Sequence, residues 1–276
     1  MHHNSRLAAW LLCTALLWPA LAIAQSNERN AAPSGSGGDA QSGSVRDLKL
    51  TNGGRQRVLY ARPSSPRATI VMLPGGAGDV GIEADGDLAH GKNFVVRTRG
   101  MWLAHGYAVV IPDALNGENL RGQRSSPDYA QVIGDLVNFA QGQAPGPVFL
   151  LGTSQGSIAA MNGAAHLPKG KLAGLVLTES VSRQSKSGET VFDASPERVT
   201  VPALIVANRD SDCKVAPADD APRIAAAMSR APEAKVIYVQ GGTTRSTDCG
   251  SQSPHGYFGI EGAVVDTIAA WLDAHK

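Results

Sequence analysis

The sequence predicts an α/β domain in which a parallel sheet is covered on both faces by helices. Two observations lead to this class. From Val45 onward, short apolar runs alternate with longer segments whose apolar residues recur at helical spacing. The apolar runs are nearly continuous, which is typical of strands buried on both faces. No internal repeat is visible and the loops are mostly short, so residues 45–276 are interpreted as one domain.

Seven strands are predicted, in the segments RVLYARP, ATIVMLPGG, YAVVIPDA, PVFLLGTS, LAGLVLTE, PALIVAN and AKVIYVQ. Five helices are predicted between and after them, in NFVVRTRGMWLAHG, SPDYAQVIGDLVNFAQG, QGSIAAMNGAAH, ADDAPRIAAAMSRA and GAVVDTIAAWLDAHK. The second strand ends at a proline and two glycines, and the first helix ends at Gly106. The second helix begins at a Ser-Pro-Asp signal and places Val132, Leu136 and Phe139 on one face. In such a sheet, ligands bind beyond the carboxyl ends of the strands.

Residues 1–24 are predicted to be a secretory signal peptide. Arg6 precedes the apolar run LAAWLLCTALLWPALAIA, which ends in a small-x-small exit, so cleavage is expected after Ala24. A membrane anchor is the alternative, but a proline interrupts the run and its small terminal residues suit a peptidase better than a bilayer. We therefore expect an exported protein, periplasmic or secreted, with no stable membrane anchor once the signal is removed.

The next segment, residues 25–44, is rich in Gly, Ser and Ala and is predicted to be a flexible leader. The whole chain has 43% hydrophobic and 18% charged residues, enough apolar material for a sizeable core. A formal net charge of +1 gives no bulk electrostatic reason to expect a nucleic acid or an anionic lipid surface as a partner. Aromatic residues are few, at 5%, so a base-stacking surface is not expected either.

A Gly-x-Ser-x-Gly motif, Gly152-Thr153-Ser154-Gln155-Gly156, lies where a predicted buried strand gives way to a predicted helix. The two glycines allow a turn so sharp that the Ser154 hydroxyl stands clear of the sheet, and the helix directs its N-terminal amides at charge that develops nearby. Ser154 is therefore the candidate nucleophile. The alternative is a serine that only caps the helix.

A serine hydroxyl is a poor nucleophile at neutral pH unless a base takes its proton. In this architecture the base follows the serine and an acid along the chain. His255, in the loop SQSPHGYFGIEG between the last predicted strand and the last helix, has that position. A loop histidine packed against neighbouring aromatic rings is the alternative.

The acid is expected just beyond the strand PALIVAN, where the chain carries Asp210 and Asp212. Either aspartate has the position to orient the imidazole and stabilise its cationic form, and the other is then a turn residue. Glu179, which ends the preceding predicted strand, is the remaining alternative.

An oxyanion hole requires two backbone N–H donors. Gln155, directly after the serine, offers one, and the loop LPGGAG offers the other through Gly76 or Ala77. A phosphate-binding loop is the alternative for this segment, but it lacks the Gly-Lys-Ser/Thr ending of such loops.

Together, the strand–turn–helix at LGTSQGS, the order serine, aspartate, histidine, and the upstream LPGG resemble the α/β-hydrolase superfamily over roughly residues 57–275. The pairing of RDSDC with CGSQSPHGYFGIE is similar to an exported bacterial branch described mostly as hydrolases. The resemblance implies a mainly parallel sheet of about eight strands and a serine-based acyl-enzyme mechanism without a metal or other cofactor. One departure is the D-S-D at the acid position, where the usual pattern has a single aspartate.

Removal of the signal peptide removes Cys13 and leaves Cys213 and Cys249. Two thiols in an oxidising compartment pair by default, so we hypothesise a disulfide that joins the acid loop to the base loop. It would close a loop of roughly 36 residues and stabilise the fold by about 2–4 kcal/mol. Two buried, unpaired thiols are the alternative.

These features predict an exported serine hydrolase that cleaves carboxylic esters of small acyl substrates. The polar segment between LAGLVLTE and PALIVAN is too short for a helical cap domain, although the long loop GAGDVGIEADGDLAHGK has the length to cover the site. An acyltransferase or a peptidase uses the same three residues and is the second hypothesis. A non-catalytic binding protein of hydrolase shape is the third.

Overall fold

The structure is a computed structural model that describes residues 43–276. The segment assigned to a signal peptide, residues 1–24, lies outside the described residues, as does the leader up to residue 42. Among the described residues, no helix combines the length and the apolar character needed to cross a bilayer.

Eight strands form one sheet in the order β1-β2-β4-β3-β5-β6-β7-β8. β1 and β2 are antiparallel to their neighbours, and every pair from β4 to β8 is parallel. The predicted mainly parallel sheet is therefore confirmed. In chain order the strands are β1 Ser44–Lys49, β2 Arg55–Ala61, β3 Ala68–Leu73, β4 Tyr107–Pro112, β5 Val148–Thr153, β6 Gly174–Thr178, β7 Ala203–Asn208 and β8 Ala234–Val239.

In the part of the chain that the structure describes, six α-helices accompany the sheet: α1 Phe94–Arg97, α2 Arg99–Ala104, α3 Pro127–Gln143, α4 Gln155–His166, α5 Ala221–Ala227 and α6 Glu261–Asp273. They belong to two separate apolar clusters, as expected when both faces of the sheet are covered. α3, α4 and α5 contribute to one cluster through residues such as Val132, Ile158 and Ile224. α1, α2 and α6 contribute to the other through Phe94, Trp102 and Val264.

The first predicted helix is two short helices with a break at Thr98, whose backbone lies at φ −88° and ψ 0°. The buried Thr98 hydroxyl donates to the Phe94 carbonyl at 2.7 Å and accepts from the indole of Trp102 at 3.2 Å. A threonine that bonds back to the preceding turn competes with regular helix geometry.

The fourth predicted helix is also shorter than expected, because it opens with a 3-10 turn, Ala218–Asp220, before Pro222 in the first turn of α5.

β1 is an additional strand that the apolar-run criterion missed, and it starts at Ser44, inside the segment expected to be the leader. It pairs antiparallel with β2 at the edge of the sheet, and its side chains are only partly buried. An edge strand of this kind carries charged residues and has no continuous apolar run.

Between β6 and β7 the chain forms two 3-10 turns, Val191–Ala194 and Pro196–Arg198, and no α-helix. This agrees with the prediction that the segment is too short for a helical cap. The carboxyl ends of β3, β5 and β6 therefore lead directly into the loops that carry the candidate site.

Candidate active site

Ser154 occupies a sharp turn between β5 and α4, with φ 53° and ψ −122°. A side chain at Gly152 would overlap the carbonyl oxygen of Gly156, and one at Gly156 would overlap that of Leu73. Both positions of the motif therefore require glycine. Because non-glycine residues rarely adopt positive φ, this turn stores strain that the surrounding packing must hold.

The turn is held by backbone contacts on both sides. The Ser154 N–H donates to the carbonyl of Thr178 on β6 at 2.9 Å. The Ser154 carbonyl accepts from the N–H of Ser157 at 2.9 Å and from its hydroxyl at 2.6 Å. The Ser154 side chain consequently leaves the edge of the sheet in a defined direction.

Three side chains meet above this edge. Nε2 of His255 lies 2.9 Å from Oγ of Ser154, and Nδ1 of His255 lies 3.1 Å from Oε2 of Glu179. His255 is 3% exposed and Glu179 only 1%, so water has little access to their contact. The predicted pairing of Ser154 with His255 is present in the structure, and a carboxylate completes the hydrogen-bonded chain.

That carboxylate is not one of the two aspartates singled out from the sequence. Asp210 is exposed, and its Oδ2 accepts from the N–H of Gly241 at 2.8 Å in the turn after β7. Asp212 is also exposed. The structure corrects the prediction and brings Glu179 to His255, the residue that the sequence offered only as the remaining alternative.

Strand order explains the difference. β6 is the direct neighbour of β5, and their register pairs Thr153 with Thr178, so the following residues, Ser154 and Glu179, leave the sheet side by side. The two aspartates follow β7, one strand farther away. Apolar runs locate strands but do not report their spatial order.

Glu179 is itself firmly held. Its Oε1 accepts from the N–H of Asn208 at 2.6 Å, and its backbone has φ 46°. Tyr257 is buried nearby and donates to the carbonyl of Val206 at 2.9 Å. Burial raises the pKa of Tyr257 well above its usual value, and the negative charge of Glu179 raises this pKa further. Tyr257 therefore stays neutral beside the carboxylate.

His255 lies in a 3-10 turn, Pro254–Gly256, that is fastened from two sides. The amide of Asn208 donates to the Pro254 carbonyl at 2.9 Å. Arg97 donates to the carbonyls of Gly256 and Ser251, the latter at 3.1 Å, and pairs with Glu261 at 2.8 Å. Sequence reasoning missed these supports because the two residues lie far from the turn along the chain and belong to no motif.

The candidate oxyanion donors lie around the same serine. A Cβ placed on Gly75 would come 3.1 Å from the Cβ of Ser154, so the loop after β3 runs directly beside the nucleophile. Among the described residues, no hydrogen bond uses the N–H groups of Gly76, Ala77 or Gln155. These are the donors that the sequence singled out, and they remain available to a bound oxygen.

A cavity of about 450 Å³ opens beside Ser154 and His255. The loop after β3 and the segment 249–251 contribute to its wall, together with charged side chains from residues 79–92 and from Arg121. Among the described residues, no group of three or more His, Cys, Asp or Glu side chains is arranged to hold a metal ion.

The hypothesised disulfide is present between Cys213 and Cys249, which are 36 residues apart in the sequence. Cys249 also lines the cavity. Since Glu179 is the carboxylate at His255, the bond does not join the acid to the base. It ties the turn after β7 to the loop that leads to His255.

We expect loss of this disulfide to affect stability more than catalysis. The Cys213→Ser, Cys249→Ser double variant should lose about 2–4 kcal/mol of unfolding free energy, because a cross-link across a loop of this length limits the unfolded chain. Asn208 and Arg97 hold the turn of His255 without help from the disulfide. We therefore expect kcat/KM for an ester at 25 °C to fall less than about tenfold. Misplacing a reacting group by about 1 Å would cost about a hundredfold. Denaturant unfolding and initial rates measure both quantities. Mass after alkylation of the oxidised protein provides the control, since two reactive thiols there would contradict the bond.

Comparisons with known proteins support the fold. No family model matches the chain, and no curated protein matches it in sequence. Among solved structures, Est1E from Butyrivibrio proteoclasticus superposes with a TM-score of 0.56 at 13% identity, covering 84% of this chain and 98% of that one. An α/β serine hydrolase homologue from Coxiella burnetii gives 0.58 at 14% identity over 83% and 97%. Proline iminopeptidase from Mycobacterium smegmatis gives 0.57 at 13% identity over 84% and 98%. The chain has the α/β-hydrolase fold.

Proposed function

We propose that this protein is a serine hydrolase that cleaves carboxylic esters through an acyl-enzyme intermediate on Ser154. The observation that carries the proposal is the continuous chain of hydrogen bonds from Glu179 through His255 to Ser154 at the wall of the cavity. The names of several solved structures with this fold, esterases and a serine hydrolase homologue, agree with it.

In the first half-reaction, Oγ of Ser154 attacks the ester carbonyl carbon while Nε2 of His255 takes the hydroxyl proton. The carbonyl oxygen becomes negatively charged and accepts hydrogen bonds from the N–H of Gln155 and from that of Gly76 or Ala77. The tetrahedral intermediate collapses, His255 returns the proton to the leaving alcohol, and the acyl group remains on Ser154.

In the second half-reaction, water attacks the acyl carbon, and His255 accepts a proton from the water and returns it to Ser154 as the acid leaves. Glu179 accepts a hydrogen bond from Nδ1 of His255 throughout. This contact leaves Nε2 free to act as the base and stabilises the imidazolium that forms in each half-reaction. The buried position of the pair strengthens that electrostatic contribution.

Hydrolysis is favoured over acyl transfer because, in residues 43–276, the segment between β6 and β7 forms no helical cap that would exclude water from the cavity. The lack of a helical cap in these residues also favours small acyl substrates.

We further propose that the protein acts after export, because disulfides such as Cys213–Cys249 persist in oxidising compartments. The predicted signal peptide at residues 1–24 supports this location.

A fluorophosphonate probe tests the proposal directly. The activated hydroxyl displaces fluoride from phosphorus, so we expect one adduct per chain, on the tryptic peptide that contains Ser154. Labelling should slow strongly in His255→Ala, which lacks the base. Protein without an adduct, or an adduct on another serine, would contradict the assignment and favour a binding protein.

Matched substrates then separate the reaction types. We expect faster hydrolysis of p-nitrophenyl esters than of the corresponding p-nitroanilides, with rates that decrease as the acyl chain lengthens. A preference for anilides would favour a peptidase.

A further inference from the structure

We propose that the cavity selects esters that carry a carboxylate group, and that Arg121 and Lys92 recognise that group. The inference rests on the proposed ester hydrolysis and specifies its substrate class. It is carried by the charged side chains that line the cavity, two cationic residues and a single carboxylate.

Four charged or titratable side chains other than His255 line this cavity: Asp79, His90, Lys92 and Arg121. Asp79 is engaged with His90, whose Nδ1 lies 3.2 Å from Oδ1 of the aspartate. Among the described residues, neither Arg121 nor Lys92 forms a salt bridge. Two cationic side chains therefore line the cavity without an ion pair to a carboxylate of the described residues.

Arg121 is next to the reacting groups. A Cβ placed on Gly76 would lie 3.6 Å from Nη2 of Arg121, so the guanidinium borders the loop that offers the oxyanion donors. The adjacent Gly75 is in turn close to Ser154. Arg121 and Ser154 thus line the same cavity on either side of this loop, which is the arrangement required for a carboxylate and an ester carbonyl of one substrate.

The backbone on both sides of Arg121 is anchored. The N–H of Leu120 donates to the Ala77 carbonyl at 2.9 Å, and the N–H of Gly122 donates to Oε1 of Glu189 at 2.8 Å. Glu189 is buried, and its second oxygen accepts from the N–H and hydroxyl of Ser125 at 2.9 and 3.0 Å. This carboxylate supports the loop through the backbone of Gly122 and Ser125 and forms no salt bridge with Arg121 among the described residues. An arginine held on such a backbone is well placed for bidentate recognition of a carboxylate.

A second guanidinium lies below the first. Arg124 is buried and donates to the Pro74 carbonyl at 3.4 Å. Its pKa is lowered mainly by burial; Tyr129 and the charge of Glu189 raise this pKa, and the neighbouring charge of Arg121 lowers it. Arg121 and Arg124 therefore influence one another electrostatically beneath the cavity wall, and a cleft concentrates the field of the charges that line it.

The test compares pairs of esters in which a carboxylate is either free or methylated. Mono-4-nitrophenyl adipate and methyl 4-nitrophenyl adipate place the difference on the acyl side, and 4-acetoxybenzoate and its methyl ester place it on the alcohol side. Rates are measured at pH 7 and low ionic strength, and spontaneous hydrolysis is subtracted. For at least one pair, we expect kcat/KM to be about tenfold higher for the anionic ester. A factor of about ten corresponds to the free energy of one charge-assisted hydrogen bond. In 0.5 M NaCl the ratio should decrease, because salt screens exposed charges.

Variants of two residues, Arg121 and Lys92, connect this preference to them. Arg121→Gln should bring the ratio close to one, Lys92→Gln should lower it about threefold, and Arg121→Lys should retain part of it. Arg230→Gln and Lys169→Gln remove an exposed cation away from the cavity and should leave the ratio unchanged.

The outcomes distinguish the two proposals. If Ser154 is labelled and the neutral esters are hydrolysed as well as the anionic ones, ester hydrolysis stands and the carboxylate preference is wrong. If the preference exists but survives in Arg121→Gln and Lys92→Gln, the assignment of these residues is wrong. If no ester of either kind is cleaved and Ser154 is not labelled, the proposed function itself fails.

Discussion

Glu179→Gln is expected to lower kcat/KM for ester hydrolysis by on the order of 10⁴-fold, the cost of exchanging a triad carboxylate for its amide. The glutamine has no negative charge to stabilise the imidazolium. Its NH₂ group, turned toward Nδ1 of His255, would also favour the tautomer that places the proton on Nε2, where the base must be free. Initial rates with a neutral p-nitrophenyl ester measure the effect.

The matched controls are Asp212→Asn and Asp210→Asn. Asp212 is exposed, and an asparagine at position 210 still offers an oxygen to the N–H of Gly241, so both variants should retain activity within about twofold. Glu179→Gln likewise keeps an oxygen for the N–H of Asn208, so its unfolding free energy should change less than its activity. A large loss in either aspartate variant with a small loss in Glu179→Gln would restore the assignment based on the sequence.

Ser154 and Glu179 differ in how far their roles in the site can be predicted from the sequence. Ser154 lies in a local motif whose glycines are required by close backbone contacts, so its neighbours along the chain identify it. His255 is located by the order of elements, in the loop before the last helix. Glu179 has no local signature. Its place beside His255 depends on β6 being paired with β5 in a particular register, and such pairing is decided by the packing of the whole sheet.

The same distinction applies to the scaffold. The seven predicted strands are present because each packs apolar side chains against one or both apolar clusters, and such packing leaves an apolar run in the sequence. β1 has no such run, since its charged residues Arg46, Asp47 and Lys49 are exposed at the edge of the sheet. The break in the helix at Thr98 could not be predicted from the sequence. A threonine hydroxyl that bonds back to the preceding turn is compatible with either a continuous or an interrupted helix.

Ser154→Ala is expected to have the largest effect on activity, a loss on the order of 10⁶-fold in kcat, since removal of a triad nucleophile abolishes the covalent route. This corresponds to about 8 kcal/mol of transition-state stabilisation. The variant should also lose all fluorophosphonate labelling, which provides a sensitive check for contaminating wild-type enzyme. Hydrolysis at an undiminished rate by unlabelled protein would refute Ser154 as the nucleophile.

The fold of Ser154→Ala should be intact, because the hydroxyl that is removed has His255 as its hydrogen-bond partner and the backbone contacts of the turn remain. Ser154→Gly provides a further test of the strained turn. Glycine adopts φ 53° without the steric cost that a Cβ imposes, so Ser154→Gly should be more stable than Ser154→Ala by about 1 kcal/mol, although both are inactive. Denaturant unfolding of the two variants measures the difference. Equal stabilities would mean that the strain at the nucleophile is no larger than the extra conformational entropy that glycine loses on folding.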